Sequence, residues 1–265
     1  MTTPRQTALD IAYTAMDAVP HDDAARLRFY ERLADCELFL MLTKEATGEA
    51  LSPEVFELAD GQFVLAFDLE ERLAAFAGRP VPYAALSGRV LSAMLAGQGI
   101  GLGLNLDVAP SSILMPAQAL GWLQQTLGNA PEEVEARIAS LHPPSGLPDM
   151  LLQALDTKLA TAVGLAGSAY LAAVEYDTGG RGHMLAFIDA REGAEGALAK
   201  AASEALTFSG LEAGAMDVGF FAATDEMSAR LAKVGLRFDL PEPATAKEYQ
   251  PAAPGMDPAK PPKLR

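Results

Sequence analysis

One cysteine, one tryptophan and three histidines are all that this 265-residue chain holds of three residue types common in disulfides, stacking platforms and metal sites. With Cys36 alone, no internal disulfide can form and no thiolate cluster can gather a metal. His21, His142 and His183 stand far apart, without the i, i+4 spacing of a helical zinc site. No G-x-S-x-G turn presents a nucleophilic serine. No metal and no cofactor is therefore expected.

Positive charge is also scarce. Twenty Lys and Arg face thirty-five Asp and Glu, a net charge of −15. Nucleic-acid affinity comes mostly from basic side chains neutralising phosphates, so nucleic acid is not an expected partner. The same repulsion disfavours anionic membrane surfaces. Long apolar runs are missing as well. Between Arg89 and Glu132 the only charge is Asp107, but Gly97, Gly99, Gly101, Gly103, Pro110 and Pro116 interrupt the stretch. No membrane span is expected there, and the segment reads as the buried centre of a domain. Residues 7–19 are amphipathic and carry Asp10 and Asp17, unlike the unbroken apolar core of a secretory signal. A cytoplasmic location is expected.

What is present suits a layered globular protein. Half of the residues are hydrophobic, and the length allows one or two domains at about 150 residues each. Residues 140–148, Ser-Leu-His-Pro-Pro-Ser-Gly-Leu-Pro, read as a linker between a domain at 1–140 and another at 147–240. The last 25 residues hold seven of the eighteen prolines and read as a flexible or disordered tail, 241–265. The tail's four bases and three acids give +1, while residues 1–140 carry −10 and 141–240 carry −6.

Helical periodicity predicts helices over 22–34, 69–77, 87–96 and 117–127 in the first region. The paired Asp22-Asp23 suits a helix start, as do Glu70-Glu71 and Glu132-Glu133. Strands are predicted at 37–42 and 100–106, and Asp60-Gly61 marks a hairpin between 55–58 and 62–67. The second region reads α-β-β-α-β-α: helices at 148–161, 194–206 and 225–234, the last capped by Thr224, and strands at 168–175, 183–188 and 215–222. An α+β fold follows, with mixed or antiparallel sheets flanked by helices; in the second region the helices are expected on one face.

Two motifs invite a chemical reading. Gly99, Gly101 and Gly103 alternate with Ile100, Leu102 and Leu104 and lead to Asn105 and Asp107. A dinucleotide loop needs a third glycine and a helix after it, and neither is there. At strand period the glycines make a bare face that lets another segment approach closely. A ligand facing Gly99, Gly101, Gly103, Asn105 and Asp107 is the alternative. Asp177-Thr178-Gly179 matches the aspartic-protease tripeptide, but one copy supplies one carboxylate and the chemistry needs two. It reads as a turn. Trp122, Arg181 and His183 are the candidate interaction surface. Cys36 paired with His183 or His21 is the only nucleophilic arrangement the sequence leaves open.

Three segments carry a family likeness: Phe29-Tyr-Glu-Arg-Leu-Ala-Asp-Cys-Glu-Leu-Phe-Leu40, Phe63-Val-Leu-Ala-Phe-Asp-Leu-Glu-Glu-Arg-Leu73 and Gly99-Ile-Gly-Leu-Gly-Leu-Asn105. In order and spacing they resemble the N-terminal domain of the enhanced serine sensitivity (SseB) family, over roughly residues 22–128. Residues 147–240 look like its C-terminal companion, on weaker motifs. Asp68 departs from the family's more common Thr, and Leu106-Asp107 from its Pro-Gly. The family name records a phenotype, so the resemblance implies no catalytic residues. The expectation is a non-catalytic binding or regulatory protein, its partner an unidentified protein or a second copy. Alternatives are an amino-acid-sensing domain or enzyme using the Gly99–Asp107 segment, and a homodimeric or secretion-associated protein.

Overall fold

The computed structural model describes residues 5–48, 50–59, 61–128, 137–210 and 216–243. The chain opens with helices α1 (Ala8–Ala18) and α2 (Asp23–Asp35) and strand β1 (Glu37–Met41). Hairpin strands β2 (Val55–Leu58) and β3 (Gly61–Phe67) follow, then α3 (Glu70–Ala77), β4 (Tyr83–Ser87) and α4 (Gly88–Leu95). The first half ends with β5 (Ile100–Leu104), β6 (Ile113–Met115) and α5 (Ala117–Gly128).

These strands form one sheet in the order β4-β1-β3-β5-β6, with β2 also paired to β3. Strands β3 and β5 run parallel, in register Phe63↔Gly101 and Leu65↔Gly103; the other pairings are antiparallel. Alternation sends Leu38, Leu40, Val64, Ala66, Leu102 and Leu104 to one face, where α1, α2, α4 and α5 cover them. Phe39, Met41, Leu65 and Phe67 point to the other face, beneath Leu73 and Phe76 of α3. Leu91, Leu95, Leu120, Leu123 and Leu127, from the charge-poor stretch, are buried in the first of these cores.

Strand β7 (Ile138–His142) begins the second sheet, followed by α6 (Asp149–Leu159), β8 (Ser168–Tyr176), β9 (Arg181–Ile188), α7 (Glu195–Phe208), β10 (Met216–Phe221), α8 (Glu226–Val234) and β11 (Leu236–Asp239). The order is β10-β9-β8-β11, with β7 also on β8, and β10 is parallel to β9. Helices α6 and α7 cover one face through Leu151, Leu155, Leu198 and Ala202. Leu231 and Met227 of α8 cover the other. The mixed α+β class holds.

Three expectations are corrected. The second sheet has helices on both faces, because β8 is apolar on both: Ala169 and Leu171 face one way, Ala172 and Val174 the other. Residues 140–142 are not linker but strand, paired with residues 173–175 of β8. Helix α8 is capped at Asp225 instead of Thr224, and Asp225 Oδ2 accepts the Ala222 N–H at 2.8 Å. The Asp177-Thr178-Gly179 run does form the β8–β9 turn, with Gly179 at φ +83°. Asp60, Glu132-Glu133 and residues 244–265 of the tail lie outside the described residues.

Two features join the halves. Phe208, at the end of α7, is wholly buried in the core of the first sheet. Five charged side chains from α2, α4, α6 and α7, drawn from both halves of the chain, meet in one network: Glu31, Asp35, Arg89, Lys158 and Glu204.

Candidate functional site

Parallel strands β3 and β5 end side by side, which brings Asp68 and Asn105 together just past their C-terminal ends. Asn105 sits at φ 46°, a left-handed conformation that asparagine tolerates better than most residues. Its side-chain oxygen accepts the Asp68 N–H at 3.1 Å, and its amide donates to Ser111 Oγ at 2.8 Å. Ser111 in turn donates to Asp10 at 2.6 Å.

Asp10 is wholly buried. It forms a capping box with Thr7 at the start of α1 and accepts two hydrogen bonds from Arg72 of α3. Arg72 also donates to Asp68 at 2.7 Å and to the Arg5 carbonyl at 3.0 Å. Thr7 Oγ1 completes the ring by donating to Asp68 at 2.6 Å. Burial alone would raise the Asp10 carboxyl. Hydrogen bonds from Arg72, Ser111 and the Thr7 N–H outweigh that and bring it down to about 2. This cluster is a closed clasp: each polar group already has a partner, and α1 lies across it.

The second cluster is different. Arg89 grips Glu204 through two hydrogen bonds, 2.6 and 2.9 Å, and reaches Asp35 at 2.9 Å. Lys158, buried on α6, lies 2.6 Å from Asp35 and 3.0 Å from Glu204. Glu31 makes the third carboxylate against two cations. Its Oε1 is 3.9 Å from Lys158 Nζ and is the one buried side-chain polar atom, among the described residues, without a hydrogen-bond partner. Burial pushes the Glu31 carboxyl up, and Asp35 and Glu204 add to the rise against Lys158 and Arg32.

Glu31 also lines a cleft of about 450 Å³ between α1, α2 and α6. Each helix presents one face to it at i, i+3, i+4 or i+7 spacing, including Ala8, Ile11 and Ala15 of α1 and Met150, Gln153 and Thr157 of α6. Arg28 and Arg32 of α2 line the same cleft.

The five glycine-segment residues do not converge on one surface. A Cβ on Gly101 would lie 2.5 Å from the Phe63 ring and 2.6 Å from the Met115 carbonyl oxygen, and one on Gly103 2.5 Å from Leu65. Gly101, Gly103 and Asn105 are buried; Gly99 and Asp107 are exposed. Trp122 of α5 is 40% exposed and packs edge-on against Tyr30 at 5.1 Å. Arg181 pairs with Glu175 at 3.1 Å, and His183 Nε2 lies 3.1 Å from the Ser145 carbonyl oxygen. Cys36 sits at the end of α2, its Sγ donating to the Leu33 carbonyl, and burial pushes its thiol up to about 12. At that value it is a poor nucleophile.

Sequence reasoning missed the clasp and the buried charges. The clasp had signals: Thr7 and Asp10 have capping-box spacing, and Asp68 and Arg72 are an i, i+4 pair. The second cluster had none, since Asp35 and Lys158 are 123 residues apart.

The fold is thus that of a two-sheet α+β protein whose first sheet carries a parallel β3–β5 pair closed by α1. Residues 9–122 match the family model of the SseB protein N-terminal domain, so the chain carries that domain. Neither the curated proteins nor the solved structures contain a match. No helix among the described residues is long and apolar enough to cross a membrane.

Proposed function

We propose that this chain is a non-catalytic binding protein of the cytoplasm, built of two domains that act as one unit, the first ending before β7 and the second running from β7 to residue 240. One contrast carries the reading. The ionisable groups gathered under α1 are closed on one another, whereas Glu31 keeps an unpartnered oxygen beside an open cleft. Proton-transfer or nucleophilic catalysis usually needs a second group beside the first, and the cleft's lining gives Glu31 neither a nucleophile nor a second acid or base: the Thr157 hydroxyl is spent on the Gln153 carbonyl. Binding needs a concave surface with a few polar groups still unsatisfied. The cleft supplies that. The buried charge cluster and Phe208 tie the domains together, so an occupant of the cleft would touch both and report to both.

The test is a thermal-shift screen of the full chain against amino acids, amines, carboxylic acids and nucleotides, with each compound recovered and analysed afterwards. A specific ligand at 100 times its Kd stabilises by about 2.7 kcal/mol, well within detection. The expected result is stabilisation by one chemical class, with the compound returned unchanged. Consumption of the compound would overturn the reading.

A further inference from the structure

The cleft between α1, α2 and α6 offers charge of both signs on one apolar channel. At its base, Glu31 is 2% exposed in its side chain, and its Oε1 meets no donor. In the cluster behind it Arg89 is taken up by Asp35 and Glu204, and Lys158 lies closer to those two carboxylates than to Glu31. A buried carboxylate without its full set of donors is costly, and a cationic group placed against it removes that cost. On the wall, Arg28 and Arg32 have no carboxylate within 4 Å among the described residues. Both are half-buried, so a carboxylate reaching them would be only partly screened by water. The rest of the lining is mostly small and apolar, with alanines and Ile11 from α1 and Met150 and Ala154 from α6, beside Gln153 and Thr157.

Arginines this close to Glu31 would repel a simple amine, and Glu31 would repel a simple acid. A molecule carrying both charges satisfies both walls. We propose that this cleft takes a small zwitterion, its ammonium group on Glu31, its carboxylate on Arg28 or Arg32, and a short apolar body between Ile11 and Met150. The proposal rests on the binding reading above. At about 450 Å³ the cleft lies within the usual range for small-molecule sites.

Three probes of matched size separate the charges: norleucine carries both, pentylamine the ammonium alone and hexanoate the carboxylate alone. Each is titrated calorimetrically into the full chain, into Glu31→Gln and into Ala15→Phe. The second variant fills the cleft from an exposed position of α1 and leaves the buried charges intact. Norleucine is expected to bind the native chain, about tenfold or more tighter than either single-charge probe. Both variants should weaken it by at least about tenfold while unfolding cooperatively as the native chain does. Equal binding of norleucine and hexanoate, no effect of either variant, or no binding by any probe would overturn the site. Recovered norleucine is analysed as well. Its chemical conversion would overturn the binding reading while leaving the site in place, so the two failures are told apart.

Discussion

Arg89 of α4 and Glu204 of α7 are 115 residues apart in the chain, yet their side chains meet as a bidentate pair at 2.6 and 2.9 Å. The pair sits where helices of the first sheet abut helices of the second. Fixed fork geometry makes an arginine–carboxylate pair directional, so it sets how the two halves lie as well as holding them. Lys158 and Asp35 extend the contact, and Phe208 adds an apolar anchor.

Lys158 is the cation that Glu31, Asp35 and Glu204 share. Lys158→Met keeps much of the side-chain volume but leaves Asp35 and Glu204 with Arg89 alone and takes Lys158 away from Glu31. Removing one partner of a buried ion cluster typically costs about 3–5 kcal/mol. Urea unfolding of Lys158→Met should show a loss of that size, and a loss under about 1 kcal/mol would mean that water reaches the cluster.

Glu31 titrates above its ordinary 4.5 because burial disfavours its charge. Ionising it therefore costs the folded chain more than the unfolded one. The associated stability is full on the acid side and is lost as pH rises through the folded value. Glu31→Gln has no charge to pay for. Its melting temperature should match or trail the native one below about pH 4.5 and gain on it as pH rises, levelling off once the folded value is passed, with Lys158, Arg32, Asp35 and Glu204 unchanged. A difference that does not change with pH would show that Glu31 is ionised at no cost.

Asp10 behaves in the opposite way, held down to about 2 from an ordinary 3.8. Its contribution is present above about pH 4 and disappears as pH falls toward 2. That shift corresponds to about 2 kcal/mol at neutral pH. Asp10→Asn should lose about that much at pH 7, with the gap closing as the medium is acidified. The same loss at pH 2 and pH 7 would assign the effect to packing instead of charge.

Gly101 lies under the Phe63 ring and against the Met115 carbonyl oxygen. A methyl there forces the strand or the ring to move. Gly101→Ala is expected to destabilise by about 1–3 kcal/mol in thermal or chemical unfolding, as overpacked cores do. A neutral result would show that the β3–β5 face has room to spare.

Much of the fold was legible because it is local. Asp60-Gly61 placed the β2–β3 hairpin, and the glycine–leucine alternation placed β5. Strand β4 was missed because it is an edge strand: Tyr83, Ala85 and Ser87 are exposed, so its apolar signal is faint and its pairing with β1 is tertiary. Strand β7 was hidden by the two prolines that follow His142, which mark a linker in sequence while the strand before them pairs with β8. The charged clusters were out of reach for a different reason. Asp10 and Arg72 lie 62 residues apart, and no periodicity links Glu31 to a lysine on a helix of the other sheet.

Amide hydrogen exchange read by peptide mass, with and without saturating norleucine, tests most directly where this protein binds. Slower exchange is expected in residues 8–18, 25–32 and 150–157, which line the cleft, and unchanged exchange in residues 99–107. Slowing confined to residues 99–107, or none in the three helices, would contradict it.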